Sequence, residues 1–499
     1  MTTGLTVRRE SYGLNRWRLN TLTKVGRKWI GGDFQSGLLY EVDWNYPMEG
    51  EGTPLVRERV TGNVANNQNK IEVPLVELLF QTGTPEVEPV MFVEQPDPPT
   101  ITGSAPDGIL GVPYAGYTYT VSGGMPPYVV TQRSGTLPPP LLLSSSGVIG
   151  TQTPTQLGTF NFKLRATDSN SLYDELDDSI DITAMMLVSA HLSANPASLA
   201  SDGTDWSGSF ISGTGLVDST IVFGTPENFI GSTRDNTRTP IRTADFGATW
   251  DAGTGDNQSN AGGARNGWYS GSQDTILIAQ GLSSGLLRST DRGATWENIA
   301  GTFTSNGVCS VGDTWISSVY SAIGHTNEIS ASVDAGETWS AGASPADFSF
   351  QLGTAVWSHG GIARFGGTNA ALTAPRIVKT PDGIALTVET LPATTGTWLP
   401  CICAGTIDAE DVWVAATEDG EILYTVNGVW TLSTDTMGCL PTGVVFNGKV
   451  FVMVGGSNAD GDANGYVKSS PNGKDWTTRK TVAFTTNDII YGVAVMGLT

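Results

Sequence analysis

The chain has 499 residues, of which 15 % are charged and 62 are glycine, and its formal net charge is −22. This length predicts several domains, and the glycine-rich, charge-poor composition favours short strands over long helices, so we expect an all-β protein. The negative charge disfavours specific nucleic-acid binding. The sequence contains no apolar run of about 18 residues, so we expect no membrane span.

The first segment, residues 1–90, is predicted to be a small β module. Residues 29–43 have the pattern of a strand, a turn and a second strand. A third strand is predicted at 52–59, followed by a loop at 66–70 and a long strand at 71–80.

The motif G-D-x-x-S-G-x-L-Y-x-x-D runs from Gly32 to Asp43 in this module. Together with the strands that follow, it is similar to the C-terminal part of the tail hub, or nozzle, proteins of short-tailed bacteriophages. That resemblance implies a structural tail protein in a homo-oligomeric ring, with tail adaptor, fibre or spike proteins as partners. In that family a propeller precedes the module, whereas here new domains follow it, so the resemblance covers only an attachment module.

A cluster of basic residues lies at the start of this module, in an otherwise acidic chain. It could form a docking edge for an acidic tail protein or an ordinary solvated strand face. The docking candidates are Arg8, Arg9, Arg16, Arg18, Arg27 and Lys28.

A proline-rich linker is predicted at 91–97, and a small β-sandwich at 98–184. Residues 117–121 and 160–166 alternate apolar and polar side chains, as half-buried strands do. The motifs Gly111-Val112-Pro113-Tyr114 and Ala166-Thr167-Asp168-Ser169 resemble those of Ig-like modules of bacterial and phage proteins. The resemblance implies a spacer or adhesion domain without catalysis.

Six acidic residues follow at the end of this segment, and calcium is one interpretation of them, because hard cations prefer carboxylate oxygens. The loop spacing of a calcium motif is absent, so we predict a solvated loop and no metal or cofactor. The six residues are Asp168, Asp174, Glu175, Asp177, Asp178 and Asp181.

A short repeat fills residues 185–499. Three copies match S/T-x-D-x-G-x-x-W in full, and four are looser, with their Asp or Asn at 202, 245, 291, 334, 382, 427 and 472. The regular spacing indicates a repeat architecture. The Asp can hold a tight turn, the Gly can supply a positive φ, and the Trp can cover the hairpin. The structural residues predicted are Asp245, Gly247, Trp250, Asp291, Gly293, Trp296, Asp334, Gly336, Trp339, Asn472, Gly473 and Trp476.

This repeat resembles the Asp-box, or BNR, repeats of sialidases and other propeller proteins. It implies four-stranded blades arranged radially in a β-propeller. Seven copies predict seven blades, or six if the copy at 201–206 is accidental. The last strand, 491–495, is predicted to pair with the segment around Trp206 and close the ring.

An enzyme is not expected. Sialidases of this family need an arginine triad and an F/Y-R-I-P motif, and residues 375–378 lack its final proline. The four cysteines, Cys309, Cys401, Cys403 and Cys439, are too few for a disulfide scaffold, so we expect them buried and reduced.

We therefore expect a structural bacteriophage tail protein, made in the host cytoplasm and located in the virion tail. The alternative is a glycan-binding adhesin of the virion that contacts a host-surface glycan. A sialidase-like glycosidase is the third interpretation.

Overall fold

A computed structural model of the chain describes residues 19–25, 27–33, 39–42, 48–49, 53–54, 97–192, 195–203, 205–209, 219–226, 228–233, 239–245, 247–255, 266–280, 285–299, 305–321, 326–340, 342–350, 355–485 and 487–496. The described residues form an all-β protein, as expected. The chain divides into two compact units, Met1–Val93 and Glu94–Thr499. None of the described segments is a helix long and apolar enough to cross a membrane.

In the first unit, β1 (Leu19–Val25), β2 (Lys28–Asp33) and β3 (Leu39–Val42) form an antiparallel sheet. Strands β2 and β3 pair from Trp29 with Val42 to Gly32 with Leu39, which is the strand–turn–strand predicted for the motif. A second hairpin consists of β4 (Met48–Glu49) and β5 (Thr53–Pro54). The predicted loop at 66–70 and strand at 71–80 lie outside the described residues.

The second unit begins with eight strands: β6 (Pro99–Thr102), β7 (Gly108–Ile109), β8 (Tyr117–Thr118), β9 (Thr120–Gly123), β10 (Val129–Gly135), β11 (Val148–Ile149), β12 (Gly158–Thr167) and β13 (Tyr173–Thr183). They form one four-stranded sheet, β10-β12-β13-β7, and two pairs, β6-β9 and β11-β8. On β12, Phe160, Phe162 and Leu164 are buried at every second position in one shared core. We call residues 98–184 the sandwich segment.

The solvated loop predicted for the acidic cluster is wrong. Of the six acidic residues, the five from Asp174 to Asp181 lie on β13, which pairs with β12 along its whole length. Asp178 accepts hydrogen bonds from the Tyr119 hydroxyl (2.6 Å) and the Ala105 N–H (2.8 Å). These carboxylates therefore anchor neighbouring segments, and no group suited to hold a metal occurs among the described residues.

The remaining chain forms a series of sheets, which are antiparallel except where β20 (Thr254–Gly255) pairs in parallel with β24 (Thr295–Ile299). The first contains β14 (Met186–Leu192) and β15 (Asn195–Ser201). The second contains β16 (Ser219–Gly224), β17 (Phe229–Thr233), β18 (Pro240–Thr243) and β19 (Asp251–Ala252). The third contains β20 (Thr254–Gly255), β21 (Asn266–Ser270), β22 (Thr275–Ala279), β23 (Leu286–Ser289) and β24 (Thr295–Ile299).

The fourth sheet contains β25 (Ser305–Val311), β26 (Thr314–Ser321) and β27 (Thr326–Ser332). The fifth contains β28 (Ala355–His359), β29 (Ile362–Thr368), β30 (Pro375–Thr380) and β31 (Thr387–Glu389). The sixth contains β32 (Cys401–Ile407), β33 (Glu410–Ala416), β34 (Glu421–Val426) and β35 (Val429–Thr436). The seventh contains β36 (Pro441–Phe446), β37 (Phe451–Gly455), β38 (Asn464–Ser470) and β39 (Thr477–Ala483). The last strand, β40 (Ile489–Val495), returns to the first sheet.

These sheets form a ring. Strand β16 contacts β21, and the contacts continue through β25, β28, β32 and β36 to β40, which contacts β16 again. One strand of every sheet thus faces a common axis, and the others extend outward. Sheets arranged radially in this way define a β-propeller.

The ring closes differently from the prediction. Strand β40 pairs with β14, with Val493 opposite Val188, and not with the segment around Trp206. Residues 186–190 are all buried, as a strand covered on both faces must be. Trp206 follows the outermost strand of this sheet and packs in the same apolar cluster as Val493.

The sandwich segment meets the propeller at the turn between β36 and β37. The Ala184 N–H donates to the Asn447 carbonyl at 2.9 Å. The Lys449 ammonium lies 3.2 Å from an Asp107 carboxylate oxygen and also pairs with Asp181. Leu157 packs against the cores on both sides.

Candidate functional site

The three full repeats form the same hydrogen-bonded turn. At Asp334, one carboxylate oxygen accepts from the Ser332 hydroxyl (2.7 Å) and the Thr338 N–H (2.8 Å), and the other accepts from the Thr338 hydroxyl (2.5 Å). The Ser332 hydroxyl accepts from the Gly336 N–H at 3.0 Å. Asp245 and Asp291 make the equivalent bonds within about 0.2 Å.

These hydrogen bonds favour the charged form of each aspartate. The bonds from Thr338 lower the pKa of Asp334 to about 2. At Asp245 and Asp291, burial alone would raise the pKa, but bonds from Thr249 and Thr295 hold it below the usual value. A permanently ionised, fully bonded carboxylate suits a turn-forming residue and not a proton donor.

Comparison of the copies shows which parts of the turn recur and which vary. Asn472 accepts from the Lys474 and Asp475 N–H groups at 2.9 Å each, so an amide oxygen can replace the carboxylate. The indoles of Trp206, Trp296, Trp339 and Trp476 donate to the carbonyl of the repeat glycine at 2.9–3.2 Å. The copy at 427 is different: Asn427 and Gly428, with φ of 50° and 75°, form a two-residue hairpin loop between β34 and β35.

The repeat glycines also join adjacent sheets. Gly336 has a φ of +84°, and a Cβ placed there would lie 2.8 Å from Leu277 on the second strand of the preceding sheet. Gly293 and Gly473 approach Ile230 and Val414 in the same way, also at 2.8 Å. The repeat turns follow the third strand outward from the axis, so they lie on the outer part of the propeller, away from the axis.

Cavities bounded by described residues lie along the axis of the ring. A narrow one of 190 Å³ is lined by residues of six axial strands, from β16 to β40. A wider one of 560 Å³, here called the wide chamber, lies beside the sandwich segment and is bordered by Leu157 and Gly158. Trp268 and Trp357 line both cavities and contact each other edge to face, with ring centroids 5.2 Å apart. The two indoles therefore separate the cavities.

The wall of the wide chamber carries hydroxyl groups and one imidazole. His359 Nε2 lies 3.1 Å from the Thr406 hydroxyl and 2.9 Å from an Asp411 carboxylate oxygen. Burial alone would raise the pKa of Asp411, but the bonds from His359 and Thr406 lower it. Both partners contact the same imidazole nitrogen, whereas a catalytic triad needs the nucleophile and the acid on opposite nitrogens.

A buried ion pair lies further outward, between the fifth and sixth sheets. Arg364 makes a bidentate contact with Glu389 at 2.7 Å for each bond, and both side chains are less than a tenth exposed. The Trp430 indole donates to the same carboxylate at 2.8 Å, and the Arg364 guanidinium stacks on Trp413. Burial alone would raise the pKa of Glu389, but bonds from Arg364 and Trp430 lower it. All of these groups are thus paired with or hydrogen-bonded to one another.

The described arginines of the propeller do not form a carboxylate clamp. Arg288 pairs with Glu297 and Glu337, and Arg292 with Asp274. Arg376 pairs with Asp347. No described arginine lines either axial cavity. Arg234, Arg238 and Arg265 lie outside the described residues.

All four cysteines are free and buried, as expected. Burial raises the pKa of the Cys401 and Cys439 thiols to about 12. Thiols held in the protonated form are poor nucleophiles and poor metal ligands.

The docking candidates are only partly described. Arg27 and Lys28 lie at the exposed turn between β1 and β2, where Lys24 also contacts the Trp29 ring. Arg8, Arg9, Arg16 and Arg18 lie outside the described residues, so their role in docking stays a prediction.

Sequence reasoning missed the wide chamber. Its aromatic and polar residues, Trp268, Trp357, His359 and Thr406, belong to none of the repeat motifs. The sequence does place an apolar or aromatic residue near the end of each axial strand, once per repeat. These residues share no common type, so they form no motif that could have predicted the chamber.

No family model and no curated protein matches the chain. Similar solved structures include YCF48 from Cyanidioschyzon merolae, which is 14 % identical over 55 % of this chain and 96 % of its own, with a TM-score of 0.36. A quinonprotein alcohol dehydrogenase-like protein from Bacteroides thetaiotaomicron is 10 % identical over 79 % of this chain and 98 % of its own (TM-score 0.38). The RRP9 WD40 repeats are 10 % identical over 62 % of this chain and 89 % of their own (TM-score 0.39).

Proposed function

We propose that the chain is a structural protein of a bacteriophage tail, with an attachment module at its N-terminus, an Ig-like spacer and a seven-bladed Asp-box propeller. The observation that carries the proposal is the motif-bearing hairpin of β2 and β3, whose sequence is similar to that of tail hub proteins. It belongs to a compact unit separate from the rest of the chain. The blade count rests on seven sheets whose axial strands form one closed cycle.

In this role the first unit binds other tail proteins, such as an adaptor, fibres or spikes, and assembles into a homo-oligomeric ring. The sandwich segment and the propeller belong to the second unit, and their contact at Asn447 and Lys449 holds them together. The function is mechanical and requires no cofactor. The turn aspartates are structural residues of the repeats.

Immunogold electron microscopy of virions, with an antibody against residues 185–499, tests this proposal. We expect gold at the tail for the natural chain. Replacing the six cations Arg8, Arg9, Arg16, Arg18, Arg27 and Lys28 by serine should reduce tail labelling several-fold, because the docking charge is lost.

The control replaces three cations elsewhere on the surface, Arg133, Lys163 and Lys474, by serine, and should leave labelling unchanged. Unlabelled virions in a lysate that contains the folded natural chain would refute the tail role.

A virion adhesin that binds a host-surface glycan is the second candidate function. The wide chamber favours it, because aromatic rings and hydroxyl groups converge in one cavity beside the axis. A sialidase-like glycosidase has no such support, because no described arginine lines that cavity.

A further inference from the structure

We infer that the wide chamber is a binding site for a neutral saccharide. The inference deepens the second candidate function, because it names the site and the class of ligand. The first observation that supports it is the shape of the chamber. The Trp268–Trp357 pair lines both this chamber and the narrow cavity, so the chamber has an aromatic floor where the two adjoin.

The size of the chamber suits a small ligand. Its volume of 560 Å³ lies within the range of about 300–1,000 Å³ that is typical of small-molecule sites. The sandwich segment borders it with the backbone of Gly158, where a Cβ would meet nothing within 4 Å. The chamber is thus open space bounded by two parts of one compact unit.

The lining selects the chemistry of the ligand. Sugar rings present apolar C–H faces, which pack on indoles, and hydroxyl edges, which need donors and acceptors. The half-buried Trp268 and Trp357 supply apolar surface for the C–H faces, and Ser272, Thr406 and His359 supply polar groups for the hydroxyl edges.

Charge excludes the other common ligand classes. The described lining contains no Asp, Glu, Lys or Arg, so an anionic sugar, a phosphate or an ammonium group would lose its hydration without gaining a charged partner. His359 already bonds to Thr406 and Asp411, and this contact fixes the imidazole at the wall. A neutral saccharide is therefore the ligand that matches the wall.

Binding of the full-length protein to an array of neutral and anionic bacterial oligosaccharides, followed by calorimetric titration of the neutral hits, tests the inference. We expect binding to neutral glycans, with a shift of tryptophan emission as the ligand covers Trp268 and Trp357. His359→Ala should weaken binding at least tenfold. Ser358→Trp, which adds an indole to the half-buried wall, should abolish it.

The matched control is Val429→Trp, which introduces the same indole on the outer hairpin, where Val429 is 66 % exposed. It should bind as the natural protein does. If Ser358→Trp does not fold, His359→Ala decides. The inference is overturned if no neutral glycan binds at millimolar concentration, if only anionic glycans bind, or if the folded chamber variants bind at full strength. Virion labelling does not depend on glycan binding. A negative glycan-binding result would therefore not contradict the proposed tail role.

Discussion

At the scale of the residue, the repeat glycine determines how closely neighbouring sheets approach. Gly336 has a positive φ, which favours glycine at any turn, and a Cβ there would lie 2.8 Å from Leu277, so this buried side chain would have to shift. Gly428 has a similar φ of +75°, and nothing lies within 4 Å of its Cβ position. The two positions therefore carry the same backbone strain and differ in packing.

This difference predicts unequal effects of alanine. Gly428→Ala should cost about 1–2 kcal/mol of unfolding free energy, from the left-handed backbone alone. Gly336→Ala should cost about 1–3 kcal/mol more, because the added methyl group overpacks the contact with Leu277. Urea denaturation of the two variants measures the unfolding free energy that each one loses. Equal losses would contradict a role for the repeat glycine in contact between sheets.

The repeat residues were also the part of the chain that sequence could predict best. The hydrogen bonds of Asp245, Asp291 and Asp334 are local, so a short motif specifies them completely. The wide chamber could not be predicted in this way. Trp268 lies on β21, whereas Trp357 and His359 lie on β28, and they meet only because the ring brings these two strands to one axis.

At the scale of the element, the turn between β36 and β37 connects the sandwich segment, the first sheet and the seventh. Asn447 is 1 % exposed. Its amide donates to the Asp202 carbonyl at 2.8 Å and accepts from the Lys449 and Val450 N–H groups. Lys449 is 39 % exposed and pairs with Asp107 and Asp181. The buried amide and the exposed ion pair lie two residues apart.

Burial should decide which of the two matters more for stability. Asn447→Ala should cost about 1–3 kcal/mol, because it leaves buried donors and acceptors without partners. Lys449→Ala should cost less than about 1 kcal/mol, because exposed ion pairs are screened by solvent. Urea denaturation of both variants, at low and at high salt, provides the measurement. A larger loss for Lys449→Ala would contradict this ranking.

Strands too could be predicted from the sequence only where their pattern is local. The alternating pattern of 160–166 and the motif hairpin of β2 and β3 were recognisable because their periodicity is local. The closing partner of β40 was not, because pairing across about 300 residues leaves no mark in either segment. The acidic residues of β13 were taken for a loop because their charge hid the alternation of a strand that is buried only toward its end.

At the scale of the whole molecule, a ring with both ends in one sheet accounts for the organisation of the chain. Strand β14 leaves the sandwich segment and β40 returns beside it, so the sandwich segment lies next to the point of closure. The axis is occupied by Trp268 and Trp357, and the repeat turns form the outer surface. Among the described residues, the wide chamber lies at one end of this axis, beside the Trp268–Trp357 pair.

Cryo-electron microscopy of bacteriophage tails assembled in the presence of this chain tests the proposed tail role most directly. We expect density for a seven-bladed ring at the tail. The last strand should lie in the same blade as residues 186–192, and the sandwich segment should contact the turn at 447–450. A tail without such a ring, in particles whose lysate contains the folded protein, would contradict the proposed role. A ring of six blades, with residues 186–201 outside it, would contradict the fold.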